Sequence, residues 1–189
     1  LRKVILSGSD LSIDDICSIV NDPTSEVEIS PSAIERVENS KFFLNEHLTK
    51  AIIYGINTGF GPMANRLIGK GQLKQLQANL VRSHAAGMGQ PVEPGYVLAA
   101  MIVRLNTLVK GFSGVSKNLI FQLQKFINHR VIPVVPEHGA VGTSGDLVQL
   151  AHIALALLGE GQVWHKGKKQ PASKVLHQSI PESSAGFIE

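Results

Sequence analysis

The sequence predicts a mainly α-helical protein that contains a few short strands. Apolar residues recur at helical spacing through most of the 189 residues,. Serines and prolines stand where these periodic stretches begin, and glycines stand where several of them end,. Hydrophobic residues make up 43% of the chain and charged residues 17%, so the chain can bury a core and is not intrinsically disordered,.

The first quarter of the chain predicts one strand and two helices. Residues 2–6 are a short strand candidate,. A serine followed three residues later by an aspartate forms a capping box, which predicts a helix over 12–20,. A serine followed by a proline predicts the start of a second helix, and apolar spacing carries that helix over 30–48,.

The middle of the chain predicts a strand, a glycine-rich loop and three helices. Residues 51–56 are predicted as a strand that ends in a loop reaching Gly61,. Apolar spacing and terminal glycines then predict helices at about 71–85, 94–110 and 115–129,.

The last third predicts a buried helix and a hairpin. Two prolines break the chain before a loop, and Gln149 and His152 are the only polar residues in the following stretch, 147–158. A helix that is apolar nearly all round belongs in the middle of a bundle. Residues 162–169 predict a hairpin with Gly167 at its turn,.

Composition argues against several classes of protein. The single cysteine, Cys17, cannot form an internal disulfide and suits a reducing cytoplasm, where we expect the protein to reside,. The longest apolar stretch, 96–105, contains Arg104 and is too short to span a bilayer,. The net charge is only +3, aromatics are 5%, and the basic cluster at 165–169 favours a solvated turn over a nucleic-acid surface,. We therefore expect neither a membrane nor a nucleic-acid partner.

Metal-binding patterns are also lacking in the sequence. His138 and His152 are far apart, no H-E-x-x-H motif occurs, and one cysteine cannot build a cysteine site,. The sequence therefore predicts no metal.

The sequence YGINTGFG, which begins at Tyr54, is the first candidate for chemistry. Gly59, Gly61 and Ala64 satisfy the dinucleotide pattern G-x-G-x-x-A after a possible strand,. However, Pro62 removes a backbone donor that a phosphate would need, and no acidic residue ends a second strand about twenty residues later,. The remaining interpretations are a loop that approaches a ligand closely, with a tyrosine at its root, or a structural turn with a core tyrosine.

His84 is the second candidate, because it continues the apolar helix face formed by Leu73, Leu76 and Leu80,. A histidine in that position is usually a hydrogen-bonded core residue. The residues that follow it, AAGMG, are mostly small and leave room for a ligand beside the ring,.

The third candidate is Thr143-Ser144-Gly145 within HGAVGTSGDL. A serine nucleophile would need G-x-S-x-G, but Asp146 replaces the last glycine, and a helix cap is the simpler interpretation,. Alternatively, the backbone nitrogen of Gly145 attacks the carbonyl carbon of Thr143, and loss of water from the ring and from Ser144 leaves an electrophilic methylidene. The helix N-terminus that follows would stabilise negative charge arriving on such a ring.

Taken together, three motifs resemble the histidine, phenylalanine and tyrosine ammonia-lyase family. They are YGINTGFG from Tyr54, SHAAG from Ser83 and GTSGDL from Gly142, in the family's order over essentially the whole chain. The stretches RLNTL, GFSG and LLGEG agree as well. The resemblance implies a mainly α helical bundle of the ammonia-lyase (aspartase/fumarase-like) type, in which residues 1–189 are the N-terminal portion of a longer chain.

The resemblance also implies a reaction and the residues that carry it. In this family the triplet becomes 4-methylideneimidazole-5-one (MIO), here formed from Thr143, Ser144 and Gly145, without a diffusible cofactor or metal. Tyr54 would be the base that removes the substrate's β-proton, and His84 and Gly61 would lie at the substrate. The reaction is the non-oxidative deamination of an aromatic L-amino acid to ammonia and the trans-α,β-unsaturated acid.

Two departures from the family pattern bear on the substrate. Thr143 replaces the usual alanine, but its side chain lies outside the new ring, so cyclisation should survive,. Val148-Gln149 replaces the Ala-Pro of typical histidine lyases and looks more like bacterial tyrosine ammonia-lyases. His84 suits a polar substrate ring, since an unpaired buried donor costs about 1–3 kcal/mol. We expect tyrosine as the substrate, narrowly ahead of histidine, and we do not expect phenylalanine.

The resemblance leaves two alternative functions open. An MIO-dependent 2,3-aminomutase shares the same motifs but returns ammonia to the β-carbon. A catalytically silent helical scaffold would never cyclise the triplet. Family members are longer and build each active site from several subunits of a homotetramer, so we expect this chain to be inactive by itself.

Overall fold

The computed structural model describes residues 2–48, 50–142 and 147–179. Within these ranges the chain is mainly α-helical, as predicted. The helices are α1 (Ile13–Asn21), α2 (Pro31–His47), α3 (Leu73–His84), α4 (Pro94–Leu108), α5 (Lys117–Asn128), α6 (Leu147–Leu157) and α7 (Ala172–Ser179). The strands are β1 (Lys3–Leu6), β2 (Glu26–Ile29), β3 (Met88–Pro91), β4 (Ile132–Pro133), β5 (Pro136–His138), β6 (Gln162–His165) and β7 (Lys168–Pro171).

The predicted starts of the first two helices are confirmed. Ser12 Oγ accepts a hydrogen bond from the backbone N–H of Asp15 at 3.1 Å, and the Asp15 carboxylate accepts one from the N–H of Ser12 at 3.2 Å. Ser30 caps α2 by accepting from the N–H of Ala33 at 3.2 Å, directly before the first-turn proline. Local side-chain hydrogen bonds therefore determine where both helices begin.

The strand predicted at 51–56 is wrong, because this segment forms turns. The side chain of Asn57 accepts from the N–H of Ile53 and donates to the carbonyls of Leu48 and Ala51. A backbone whose polar groups are already bonded to one side chain does not need a partner strand.

The strands of the described residues pair in three small sheets, each of which contains at least one strand that the periodicity did not predict. β1 pairs in parallel with β2, and β3 pairs antiparallel with β5. The hairpin predicted at 162–169 is confirmed as β6 and β7, and β6 also pairs with β4. Its turn residues Lys166 and Gly167 both have positive φ, 51° and 71°, the combination that a tight hairpin turn requires,.

The hydrophobic core is centred on α4 and α5. α4 packs against α1 and α5, and α5 packs against β2. The core's largest fully buried side chains include Met101, Ile102, Leu105, Ile120, Leu123, Phe126 and Ile127. No helix in the described ranges is both long enough and apolar enough to cross a membrane.

α6 is partly covered within the described chain, and its place in the middle of a bundle stays a prediction. Ala151, Ile153, Ala156 and Leu157 are buried, whereas Leu147 is 54% exposed. α3, α7 and β4 pack against α6, and Gln122 of α5 donates a hydrogen bond to the carbonyl oxygen of Leu157 at 3.0 Å. The remaining residues of α6 are half-buried.

Candidate active site

Tyr54 lies in the turn segment between α2 and α3, with its ring exposed. The ring meets Phe60 edge to face at a centroid separation of 6.0 Å. The Tyr54 hydroxyl oxygen accepts a hydrogen bond from the backbone N–H of Gly61 at 3.2 Å. The structure therefore brings Tyr54 and Gly61 together.

The same segment excludes a dinucleotide site of the Rossmann type. No strand precedes the glycines, and Gly61–Met63 forms a single 3-10 turn with Pro62 inside it. The strand–turn–helix arrangement that presents backbone N–H groups to a pyrophosphate is therefore missing here.

Asn57 is the residue that organises the loop, and its role was not predicted from the sequence. The side chain is 7% exposed, and its amide makes the three backbone hydrogen bonds described above, at 2.7 to 3.0 Å. Thr58 Oγ1 accepts from the N–H of Gly55 and donates to the carbonyl of Gly59. The available clue was the position of both residues inside a turn, where Asn and Thr side chains bond nearby backbone groups.

One side chain of α3 bonds the backbone of this loop. Gln77 Nε2 donates a hydrogen bond to the carbonyl oxygen of Gly55 at 2.9 Å. Gly55 directly follows Tyr54, so α3 holds the backbone next to the tyrosine.

His84 is the last residue of α3 and is half-buried. Its Nδ1 lies 2.9 Å from the carbonyl oxygen of Leu80. A carbonyl only accepts hydrogen bonds, so Nδ1 carries the proton, and in the neutral ring Nε2 is an acceptor. The Nδ1 proton of His84 is thus bonded to the helix, which leaves Nε2 without a bond to α3. Among the described residues it makes no hydrogen bond or ring contact with Tyr54.

The segment after His84 is attached to α6 through His152. The backbone N–H of Gly87 donates to His152 Nε2 at 3.1 Å. A Cβ on Gly87 would lie 3.0 Å from that nitrogen and 3.1 Å from Pro136 Cβ, so the close approach favours glycine,. Burial lowers the pKa of His152 below its ordinary value of 6.5, which keeps Nε2 free to accept,.

A second connection joins α3 to the end of α6. Arg82 donates from Nε and Nη2 to the carboxylate of Glu160 at 2.6 to 3.1 Å. The Arg82 guanidinium lowers the pKa of Glu160. Hydrogen bonds thus hold the chain on both sides of His84, from Arg82 to Glu160 beyond the end of α6 and from Gly87 to His152 within α6.

The described residues offer no metal site. His152 Nε2 accepts the Gly87 N–H, and His138 Nε2 faces the carboxylate of Glu137 at 3.2 Å. Across the ranges given above, no group of three or more His, Cys, Asp or Glu side chains could hold a metal ion.

The triplet Thr143-Ser144-Gly145, together with Asp146, lies outside the described residues. The structure describes both sides of it. β5 precedes it and pairs with β3, and α6 begins at Leu147 directly after it. In the first turns of α6, Gln149 Oε1 is buried and accepts no hydrogen bond from the described residues.

The model of the family described as aromatic amino acid lyase matches residues 11–182. The chain belongs to this family. It is 45% identical over 174 residues to the histidine ammonia-lyase of Staphylococcus aureus. The aligned residues cover 92% of this chain and 34% of the relative.

Solved structures of this family confirm the predicted fold. The structure of histidine ammonia-lyase from Trypanosoma cruzi superposes with a TM-score of 0.85 at 34% identity, over 94% of this chain and 34% of that one. Tyrosine aminomutase from Streptomyces globisporus superposes with a TM-score of 0.82 at 30% identity, over 94% and 33%. This aromatic amino acid lyase chain thus spans about a third of the length of these relatives.

Proposed function

We propose that residues 1–189 are the N-terminal, MIO-bearing portion of an aromatic amino acid ammonia-lyase. The reaction is the conversion of an aromatic L-amino acid to ammonia and the trans-α,β-unsaturated acid. The observation that carries the proposal is the Tyr54 hydroxyl held by the Gly61 N–H in a family member that also carries the Thr143-Ser144-Gly145 triplet.

The residues around the triplet fit the formation of MIO. α6 begins one residue after Asp146, so its first N–H groups are available to stabilise negative charge on the ring,. Once formed, MIO supplies an electrophile that makes the substrate amine a better leaving group.

Tyr54 is the proton acceptor in this proposal. Its hydroxyl needs access to the substrate's β-carbon, and its ring is 63% exposed. The Gly61 N–H stabilises negative charge on the phenolic oxygen and holds the ring in one orientation,.

His84 selects substrates whose ring donates a hydrogen bond. Its Nδ1 is occupied by Leu80, which leaves Nε2 to accept from an imidazole N–H or a phenol O–H,. Phenylalanine offers neither donor. Because the chain is 45% identical to a histidine ammonia-lyase, we propose histidine as the preferred substrate. Tyrosine, which Val148-Gln149 favours, is the second choice.

The proposal includes a cytoplasmic homotetramer in which several subunits complete each active site. The support is the amount of apolar surface on this chain, including Phe112 at 88% exposed and Leu147, the first residue of α6, at 54% exposed. Apolar surface of this kind is normally covered by further chain or by subunits. The isolated chain is therefore expected to be inactive.

A 2,3-aminomutase is the second candidate, favoured by the 30% identity to tyrosine aminomutase. Incubation of the complete protein with histidine, tyrosine and phenylalanine separates the two functions. An unsaturated acid with free ammonia supports the lyase, and a β-amino acid supports the aminomutase. Intact mass tests MIO itself, since the mature triplet is lighter by two waters. An unmodified mass without turnover would establish the silent scaffold.

A further inference from the structure

The backbone at Gly55, next to Tyr54, is held on both sides by side chains. Its N–H donates to Thr58 Oγ1 at 3.2 Å, and its carbonyl oxygen accepts from Gln77 Nε2 at 2.9 Å. Gly55 has a φ of +76°, a conformation that a residue with a side chain rarely adopts,. The direction in which Tyr54 leaves the backbone therefore depends on these two hydrogen bonds.

The two bonds differ in what they connect. Thr58, Asn57 and Gly61 bond to groups between residues 48 and 61, so their hydrogen bonds shape the loop internally. Gln77 belongs to α3. Among the side-chain hydrogen bonds described for residues 53–61, only that of Gln77 connects the loop to α3.

α3 also carries His84. Gln77 and His84 are seven residues apart, so they project from the same side of the helix, separated by about 10 Å of rise,. The C-terminal end of α3 is fixed to the rest of the molecule through Arg82 and Glu160 and through the Gly87–His152 hydrogen bond. One helix thus determines both the position of His84 and the position of the backbone beside Tyr54.

The surroundings of Gln77 favour keeping its hydrogen bond to the Gly55 carbonyl. Gln77 lines a cavity of about 390 Å³ whose wall is mainly apolar and includes Ile56, Leu73 and Val81. The side chain is half-buried. The hydrogen bond to the Gly55 carbonyl is part-buried, and such a carbonyl is costly to leave without a donor, so the loop is expected to keep the position in which Gln77 reaches Gly55,.

We propose that Gln77 is a positioning residue for the proposed lyase reaction. Its hydrogen bond to the Gly55 carbonyl holds the Tyr54 loop at a fixed place relative to His84, so that the hydroxyl meets the β-proton of a substrate whose ring is bound at His84. The inference rests on the proposed function of Tyr54 and His84. A displacement of about 1 Å between reacting groups reduces turnover by about 100-fold.

The test compares Q77M with the matched variant Q75M in the complete protein. Gln75 is on the same helix, is exposed, and donates to Asn79 within that helix. Methionine preserves the length of either side chain but removes its donor. We expect kcat of Q77M to fall by about 10- to 100-fold, with KM within about 3-fold and an unchanged mass loss of two waters, and Q75M to match the wild type.

A second variant and a second measurement separate this inference from the proposed function. Glutamate in Q77E has a shape similar to glutamine but cannot donate when ionised, so kcat should fall as much as in Q77M. If Q77M does not fold, Q77E decides whether the Gln77 donor positions the loop. Hydrogen exchange of amides 53–61 should be faster in both Q77 variants than in Q75M. If kcat and exchange both stay at wild-type values, the inference is wrong. If the wild type forms no product, the proposed function fails, and exchange alone decides whether Gln77 positions the loop.

Discussion

The loop that carries Tyr54 and the core around α4 are held together by different forces. In the loop, Asn57, Thr58 and Gln77 bond individual backbone groups, while Tyr54 itself stays exposed. In the core, Met101 and its neighbours are fully buried and make apolar contacts. A loop held by a few directional bonds can place a reactive group accurately at little cost in buried area. Substitutions there should reduce activity more than stability, and core substitutions should do the opposite.

The largest expected effect is on turnover by Y54F. Removing the hydroxyl removes the proposed proton acceptor, so kcat should fall by at least about 100- to 10,000-fold while the melting temperature and the MIO mass signature stay unchanged. Y96F, at the other and also exposed tyrosine, is the matched control and should behave as the wild type. Full activity in Y54F would disprove the assignment of Tyr54.

M101A tests the core side of the comparison. Met101 is fully buried, so its truncation should lower the free energy of unfolding by about 2–5 kcal/mol, measured by denaturant titration, with kcat of the folded protein retained,. M88A is the control, because Met88 is exposed. A stability loss in M88A as large as that in M101A would contradict the description of the core.

N57D tests whether the loop depends on hydrogen-bond donors. Aspartate has the same shape but cannot donate to the carbonyls of Leu48 and Ala51,. We expect kcat to fall by about 10- to 100-fold through displacement of Tyr54, with a smaller loss of overall stability. N65D, at an exposed asparagine, should leave kcat unchanged. Wild-type kcat in N57D would show that the loop does not need this amide.

The smallest expected effect is a change in the acid dependence of stability in H152Q. The folded pKa of His152 lies below its ordinary value of 6.5, so the unfolded chain binds more protons, and stability falls as pH drops through and below about 6.5,. The amide oxygen of glutamine accepts the Gly87 N–H at any pH. Stability of H152Q, followed by denaturant titration, should therefore decline less on acidification. H138Q is the control, because His138 is exposed.

Much of the fold was predictable because it depends on neighbours in the sequence. The Ser12 capping box, the Ser30 cap and the turn at Gly167 are local arrangements, and the structure confirms each of them. The pairing of β1 with β2 and of β3 with β5 was not predicted. Very short strands carry little periodicity, and their partners are distant in the sequence,.

The candidate site likewise contains residues that the sequence predicted and residues whose roles it did not. Tyr54, Gly61, His84 and the Thr143-Ser144-Gly145 triplet were predicted from motifs, and their catalytic roles stay predictions. The residues that support them, Asn57, Gln77 and His152, could not be assigned roles from the sequence. Their partners are backbone groups whose positions depend on folding, such as the Gly55 carbonyl and the Gly87 N–H.

The sequence by itself determined the helical class of this protein, the starts of its capped helices and its membership of the aromatic amino acid lyase family. Side-chain type and local spacing are sufficient for these properties. Only the tertiary structure decided that 51–56 forms turns, that His152 of α6 meets the Gly87 N–H, and that Gln77 connects the Tyr54 loop to the helix of His84. Each of these depends on which distant groups meet after folding, because a hydrogen bond or a buried face needs a partner that sequence spacing does not specify.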